Sequence, residues 1–116
     1  MMLTITATPG VIHDPDIGDV LCCTVVDRPV GLDVCSVEAE RVLLPIVGPT
    51  TLLLVRQLIR RTDETGAEFQ QWTVTEMAAW LGVKASVALS SLRRARRFGL
   101  IDVNQATVVV TRRWGR

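Results

Sequence analysis

Apolar side chains recur every three to four positions over residues 73–101, TVTEMAAWLGVKASVALSSLRRARRFGLI, which is the spacing of one helix face. Thr73 and Glu76 stand three residues apart at the start and form a capping-box pattern, in which each side chain satisfies a backbone N–H. Gly82 interrupts the periodicity, as a glycine does where a helix ends with positive φ. The stretch therefore predicts two helices joined by a sharp turn at Gly82.

The second helix of this pair is predicted over residues 85–98, with Gly99 placed to close it. The side chains predicted to face inward are small or apolar and have helical spacing: Ala88, Leu92 and Ala95. The side chains on the other faces are mostly polar or basic: Ser86, Val87, Ser90, Arg93, Arg94 and Arg97.

Two more helices are predicted before this pair. Ser36 is a suitable N-cap for the first, and Pro45 is expected to limit that helix to about two turns. Pro49 suits the first turn of the second helix, because its missing N–H costs nothing there. Residues 52–59 give this helix a broad apolar face, and the polar positions expected opposite that face are Arg56, Gln57, Arg60 and Arg61.

After Gly99 the pattern changes to short runs of β-branched residues, which are typical of strands. Residues 100–103 and 106–111 are predicted to form a hairpin. Asn104 and Gln105 would make its tight turn, because asparagine tolerates a left-handed conformation.

Two strand-like segments also stand near the N-terminus. Residues 1–8 alternate apolar side chains with threonine, and residues 20–26 are a β-branched run. The polar loop 11–19 lies between them. The two segments would either pair as a hairpin or form a loosely held arm, and the sequence does not choose between these alternatives.

The helical pair has a recognisable arrangement, carried by Ala78-x-x-x-Gly82-Val83, Leu92-Arg93-Arg94 and Phe98-Gly99-Leu100-Ile101. In these motifs and in the spacing of the two glycines, the chain resembles the winged helix-turn-helix of bacterial transcription regulators. The resemblance covers roughly the last half of the chain, from about Pro49. In addition, residues 43–58, LLPIVGPTTLLLVRQL, are similar to a helix opening of actinobacterial winged-helix proteins.

The resemblance implies a mainly α domain with a small β wing, of the α+β class. A three-helix core plus a β-hairpin would occupy residues 36–116, after an N-terminal extension over 1–35. Helix 85–98 would enter the major groove, wing 101–113 would touch the DNA backbone, and residues 71–73 would form a short strand against the wing. Leu89 departs from the family, which usually has a polar residue at this groove-facing position.

The charge of the chain is unevenly distributed, although its formal net value is only +1. Residues 84–116 contain eight basic side chains and one acid, for a charge of +7, whereas residues 1–83 have a charge of −6. Such asymmetry is expected when one end of a domain meets a polyanion. A solvated basic helix face is the alternative reading of the arginine cluster.

Together these features predict a sequence-specific binder of double-stranded DNA, and so a transcriptional regulator. Residues 84–91 are expected to face base edges, and the arginines to hold about 4–5 phosphates, for a salt slope of about −4. The residues predicted to contact DNA are Lys84, Ser86, Val87, Ser90, Ser91, Arg93, Arg94, Arg97, Arg112 and Arg113.

A homodimer is expected, because such regulators usually bind two-fold sites. Its contact surfaces would be the N-terminal strands and the helix before Pro45. The alternative function is a winged-helix protein–protein interaction module without DNA binding, which Leu89 on the outer face would suit. Trp72 and Trp80 are expected to fill the core, whereas Trp114 would either fold back on the core or lie against nucleic acid.

Enzymatic and metal-binding roles lack support in the sequence. There is one histidine, His13, and the three cysteines, Cys22, Cys23 and Cys35, are not spaced as zinc ligands. Buried free thiols are expected for the cysteines, with a redox or metal sensor as the alternative. The chain is accordingly predicted not to be an enzyme and to need no cofactor and no metal.

Length and hydropathy fit one domain of 116 residues, with 48% hydrophobic and 22% charged side chains. No apolar run approaches the ~20 residues of a membrane span, and no secretory signal pattern is present. The protein is therefore expected in the cytoplasm, without a membrane partner.

Overall fold

A computed structural model describes residues 17, 18 and 20–115. Over these residues the chain folds into helices packed against a sheet, with a radius of gyration of 14.3 Å. This arrangement confirms the α+β class. The elements in chain order are β1 (Val20–Val26), β2 (Leu32–Asp33), α1 (Val37–Val47), α2 (Pro49–Thr65), β3 (Gln70–Thr73), α3 (Val74–Leu81), α4 (Ala85–Arg97), β4 (Ile101–Asn104), β5 (Thr107–Thr111) and β6 (Arg113–Trp114).

The start of α3 has the predicted capping box. The Thr73 Oγ1 accepts from the backbone N–H of Glu76 at 3.0 Å, and Glu76 Oε1 accepts from the Thr73 N–H at 2.9 Å. The helix ends at Gly82, whose φ of 66° is left-handed, and the Val83 N–H donates to the Ala78 carbonyl at 3.0 Å. Polar groups at both ends of this short helix are thus satisfied locally, which confirms the predicted boundaries.

Helix α4 begins where predicted and ends one residue before the predicted Phe98. It begins at Ala85 and ends at Arg97, where Gly99 has a φ of 77° and the Leu100 N–H donates to the Ala95 carbonyl at 2.9 Å. Its predicted inward stripe is fully buried and packs against α2 and α3: Ala88, Leu92 and Ala95.

Helix α1 is longer than predicted. Ser36 caps it as expected, accepting from the Ala39 N–H at 3.2 Å, but Pro45 lies within the helix, which continues to Val47. The prediction of two turns was wrong because Pro45 falls in the last turn. There the missing N–H affects a single hydrogen bond, and only two residues follow. Pro49, by contrast, occupies the predicted first-turn position of α2.

The main sheet has four strands in the order β3-β1-β5-β4. Strand β1 lies between β3, to which it is antiparallel, and β5, to which it is parallel. The prediction that residues 71–73 pair with the wing was therefore wrong, because β1 occupies the position between β3 and the hairpin. Leu21 and Cys23 are both fully buried, which gives β1 the side-chain alternation of a strand with one face on the core.

The position of β1 also bears on the predicted domain boundary. Residues 20–33, assigned to an N-terminal extension over 1–35, contribute one strand to the main sheet and β2 to a second sheet with β6. Within the described residues they belong to the same fold as 36–115. The proposed strand over residues 1–8, and with it the hairpin between 1–8 and 20–26, lies outside the described part of the chain.

Two of the tryptophans support the core from its edge. Trp72 and Trp80 are half-buried with their rings edge to face at 5.1 Å, and the Arg61 guanidinium lies 4.2 Å over the Trp80 ring. Arg61 was predicted to lie opposite the apolar face of α2, but its guanidinium instead stacks on the Trp80 ring. Trp114 folds back, because its indole N–H donates to the Phe98 carbonyl at 2.6 Å and its ring packs against the core.

The turn of the β4–β5 hairpin differs in detail from the prediction. Asn104 is the last residue of β4, and the two turn residues are Gln105 and Ala106, with φ values of 51° and 60°. Positive φ at both central positions is the geometry of a type I′ turn, which matches the twist of paired strands. Neither residue favours this conformation, so the turn stores backbone strain.

We expect the double substitution Gln105→Asn and Ala106→Gly to raise the free energy of unfolding by about 1–2 kcal/mol, because asparagine and glycine accept positive φ at lower cost. Urea unfolding measures this change. As a control, Ala79→Gly on the exposed side of α3 should lower stability by about 1 kcal/mol. An unchanged or lower stability of the turn variant would contradict the type I′ assignment.

None of the helices in the described part of the chain has the length and apolar character needed to cross a bilayer.

Candidate nucleic-acid interface

The face of α4 turned away from the core contains five of the ten residues predicted to contact DNA. Ser86, Ser90 and Arg97 recur at i, i+4 and i+11, which places them on one side of the helix. Ser90 and Arg97 are exposed and Ser86 is half-buried. Arg93 and Arg94 are exposed on either side of this line. We call these five residues the basic face of α4.

Two residues predicted at or near this face lie elsewhere. Leu89 is 2% exposed and Ser91 is 5% exposed, so both belong to the packed side of the helix. The expectation of an outward Leu89 was wrong because the inward stripe is wider than the three residues used to define it. Ser91 cannot reach base edges for the same reason. Val87 is 40% exposed at the margin, and Lys84 is exposed at the residue before α4.

Arg94 links the basic face to the junction of α1 and α2. Its Nη1 donates to the Val47 carbonyl at 3.4 Å and lies near Gly48. The contact spans 47 residues of sequence and sets the start of α2 beside α4. The positive charge of Arg94 is thereby held next to the amino end of another helix.

Arg112 is engaged by the protein's own acid. Its guanidinium makes a two-pronged contact with Asp63, in which Nη1 donates to Oδ2 at 2.9 Å and Nη2 donates to Oδ1. Arg113 is held in a similar way, with Nε 3.3 Å from Asp27 and Nη1 3.4 Å from the Gly31 carbonyl. Both arginines were predicted to contact phosphate, and both already have carboxylate partners.

The structure does not bring Arg112 into the basic face of α4. Arg112 contacts Asp63, which is fourteen residues along α2 from Pro49, a distance of about 21 Å at 1.5 Å per residue. Arg94, by contrast, touches the chain just before Pro49. The predicted contacts therefore separate into a compact set on α4 and two ion-paired arginines elsewhere.

Hydrogen bonding from Arg112 lowers the pKa of Asp63 below its usual value. A lowered folded-state pKa stabilises the fold above the unfolded-state value of about 3.9, and this contribution is lost as the pH falls through the folded-state pKa. Both side chains are partly exposed, so solvent screens the pair and keeps its contribution below about 1 kcal/mol.

We expect Asp63→Asn to lower the free energy of unfolding by less than about 1 kcal/mol at pH 7, and to have no effect once the pH is low enough to protonate Asp63 in the folded protein. Urea unfolding of both proteins from pH 7 down to pH 2 checks this. A difference that persists unchanged at the lowest pH would show that the pair acts through something other than charge.

The cysteines occupy three different environments. Cys23 is buried, and burial followed by the charge of Cys22 raises the pKa of its thiol to about 12, which makes it an inert core residue. Cys22 is half-buried and Cys35 is exposed, so the expectation of buried thiols holds only for Cys23. In the described region no three histidine, cysteine or acidic side chains form a group suited to a metal ion.

Sequence reasoning missed two residues beside this site. Thr50 and Thr51 at the start of α2 line a cleft against α4, although Pro49 was interpreted only as a first-turn residue of that helix. A helix start with no side chain available to cap it was the sequence signal for them. Away from this site, Arg56 was placed opposite the apolar face of α2, yet its side chain is only 11% exposed.

No protein-family model, curated protein or solved structure matches this chain. Its function is therefore inferred from the placement and chemistry of its own residues.

Proposed function

We propose that this protein is a winged helix-turn-helix protein that binds double-stranded DNA and regulates transcription. The order of elements supports this assignment: α2, β3, α3 and α4 are followed directly by the β4–β5 hairpin. In this arrangement α3 and α4 are the helix-turn-helix and the hairpin is the wing. Strand β1 is an addition that extends the sheet between β3 and the wing.

The observation that carries the proposal is the basic face of α4. Its inner side is anchored by buried alanine and leucine side chains, while Ser90, Arg93 and Arg97 project into solvent. In the complex, Ser86 and Ser90 lie toward base edges and the arginines lie toward phosphates. Val87 at the margin offers an apolar contact to a thymine methyl group.

The ion pairs of Arg112 and Arg113 lower the expected number of phosphate contacts. Because Asp63 and Asp27 already engage these two arginines, fewer than the 4–5 phosphates first predicted should be neutralised. The logarithm of the affinity should then fall with the logarithm of salt at a slope shallower than −4. Binding to bacterial DNA also implies a cytoplasmic location.

Selection from a pool of random duplexes, followed by affinity measurements across a salt series, tests this function. The proposal predicts an enriched sequence, and for that sequence a clearly negative slope that is shallower than −4. Binding without enrichment of any sequence would show that the protein binds DNA non-specifically. No binding even at low salt would exclude the function.

The second candidate function is protein–protein interaction. The exposed apolar surface that favours it is on α1 and not on α4. Leu89, which first suggested it, is buried. The α1–α2 groove, however, exposes Leu44 and Leu53, at 38% and 44%. Strand β1 lies inside the sheet and is not available to a partner, so a homodimer would use α1. Light scattering of the wild type and of Leu53→Glu distinguishes a dimer through this groove from a monomer.

A further inference from the structure

A cleft of about 320 Å³ separates the start of α2 from the first half of α4. It adjoins the basic face of α4 and shares three of its residues, Ser86, Ser90 and Arg94. None of the described lining residues is acidic. The cleft is lined by Val47, Gly48, Pro49, Thr50, Thr51, Ser86, Val87, Ser90, Ser91 and Arg94.

The floor of the cleft is the amino end of a 17-residue helix that has no side-chain cap. Gly48 occupies the N-cap position and Pro49 the next, so neither provides a side chain to accept from the first amides. The first intrahelical bond joins the Leu52 N–H to the Gly48 carbonyl, and the N–H groups of Thr50 and Thr51 precede it. Such uncapped amides and the helix dipole attract an anion.

Two hydroxyl groups in the lining provide an independent sign of a ligand. Thr51 is 3% exposed and Ser91 is 5% exposed, so both are almost completely removed from solvent. No hydrogen-bond partner is shown for either side chain in the described part of the chain, and both line the cleft. Neither hydroxyl oxygen is among the fully buried atoms that lack a partner, so each keeps some access at the cleft and can donate to an acceptor there.

Arg94 supplies the charge. Its Nη1 is 3.4 Å from the Val47 carbonyl, which orients the guanidinium over the start of α2 and leaves its other N–H groups available. A guanidinium next to uncapped helix amides and hydroxyl donors matches the tetrahedral oxygens of phosphate.

We propose that this cleft binds a phosphate group, and that in the DNA complex the group is a backbone phosphodiester beside α4. The choice of DNA as its source rests on the proposed function. Arg94 and Ser91 hold the phosphate from α4 and Thr51 holds it from α2, while Ser86 and Ser90 face the groove. The site thus fixes the position of α4 on the duplex, because phosphate contacts set register and orientation.

The test uses two cleft variants of the full chain and a matched control. Arg94→Met removes the guanidinium, and the double variant Thr51→Val with Ser91→Ala removes both hydroxyls while keeping the helices' apolar contacts. Arg60→Met removes an equal charge from α2, eleven residues from Pro49 or about 16 Å along the helix. Circular dichroism and thermal unfolding establish that each variant is folded.

If the wild type binds the selected duplex, the cleft variants decide the proposal. We expect Arg94→Met to weaken binding by about tenfold or more and to make the salt slope shallower by about 0.9, the value for one phosphate. The hydroxyl double variant should weaken binding without changing the slope, and Arg60→Met should bind like the wild type. Wild-type affinity in both cleft variants would overturn the phosphate site and leave the proposed function intact.

If the wild type binds no duplex, the proposed function fails and a titration with inorganic phosphate decides the cleft separately. Saturable shifts of the Thr50 and Thr51 amide resonances, lost in Arg94→Met but kept in Arg60→Met, would support the site with free phosphate or a phosphorylated small molecule as its source. The absence of such shifts would overturn the site as well.

Discussion

We expect the double charge reversal Arg93→Glu and Arg97→Glu to weaken duplex DNA binding by at least about a hundredfold. The two residues are four apart on exposed positions of α4, so the change replaces two cations with two anions on one side of the helix. Each lost phosphate contact removes counterion release, and each new carboxylate repels the backbone. The inner face of α4 is untouched, so folding should be preserved.

Affinity measured across a salt series checks this expectation, with Arg41→Glu and Arg60→Glu as a double control of equal charge change. Both control positions are exposed, on α1 and α2 respectively. The control should lose little more than the general effect of net charge, whereas the α4 variant should also lose about two units of salt slope. Equal losses in the two proteins would show that α4 has no special role in binding.

The α3–α4 helix pair could be predicted almost to the residue because its signals are local. The Thr73–Glu76 capping box, the left-handed Gly82 and the left-handed Gly99 each act within a few residues of their own position. Helix limits determined by such short-range hydrogen bonds are readable from sequence alone.

The sheet could not be predicted in the same way, because its pairing is non-local. Strand β1 is parallel to β5, and Cys22 pairs with Thr107 across most of the chain. The β-branched run in residues 20–26 indicated a strand but contained no information about its neighbour. The strand at 70–73 was consequently given the wrong partner, although its existence was predicted correctly.

The candidate site was predictable in outline and not in detail for the same reason. Counting charges over residues 84–116 treated all arginines as equivalent. Arg112 meets Asp63 from 49 residues away, and Arg113 meets Asp27 from still farther. Only the folded chain shows that Asp63 and Asp27 already hold Arg112 and Arg113. The cleft beside Arg94 likewise depends on the crossing of α2 and α4.

The second large effect is expected at Arg56, which ties α1 and the segment before it to α2. Its Nε donates to the Val34 carbonyl at 2.9 Å, its Nη2 to the Ser36 carbonyl at 2.7 Å and its Nη1 to Glu40 at 2.9 Å. The side chain is only 11% exposed, and Val34 is fully buried. A single arginine thus satisfies two backbone acceptors at the point where the chain enters α1.

Arg56→Met should lower the free energy of unfolding by about 2–4 kcal/mol, because it leaves the Val34 and Ser36 carbonyls without donors while keeping most of the apolar stem. Urea unfolding measures the loss. Glu40→Gln is the matched control, because it removes only the charge of the carboxylate. The Glu40 side chain is 48% exposed, so this change should lower the free energy of unfolding by less than about 1 kcal/mol. If both variants lose the same small amount, Arg56 acts as a surface ion pair, and the junction before α1 must be held by the burial of Val34, Ala39 and Leu43 instead.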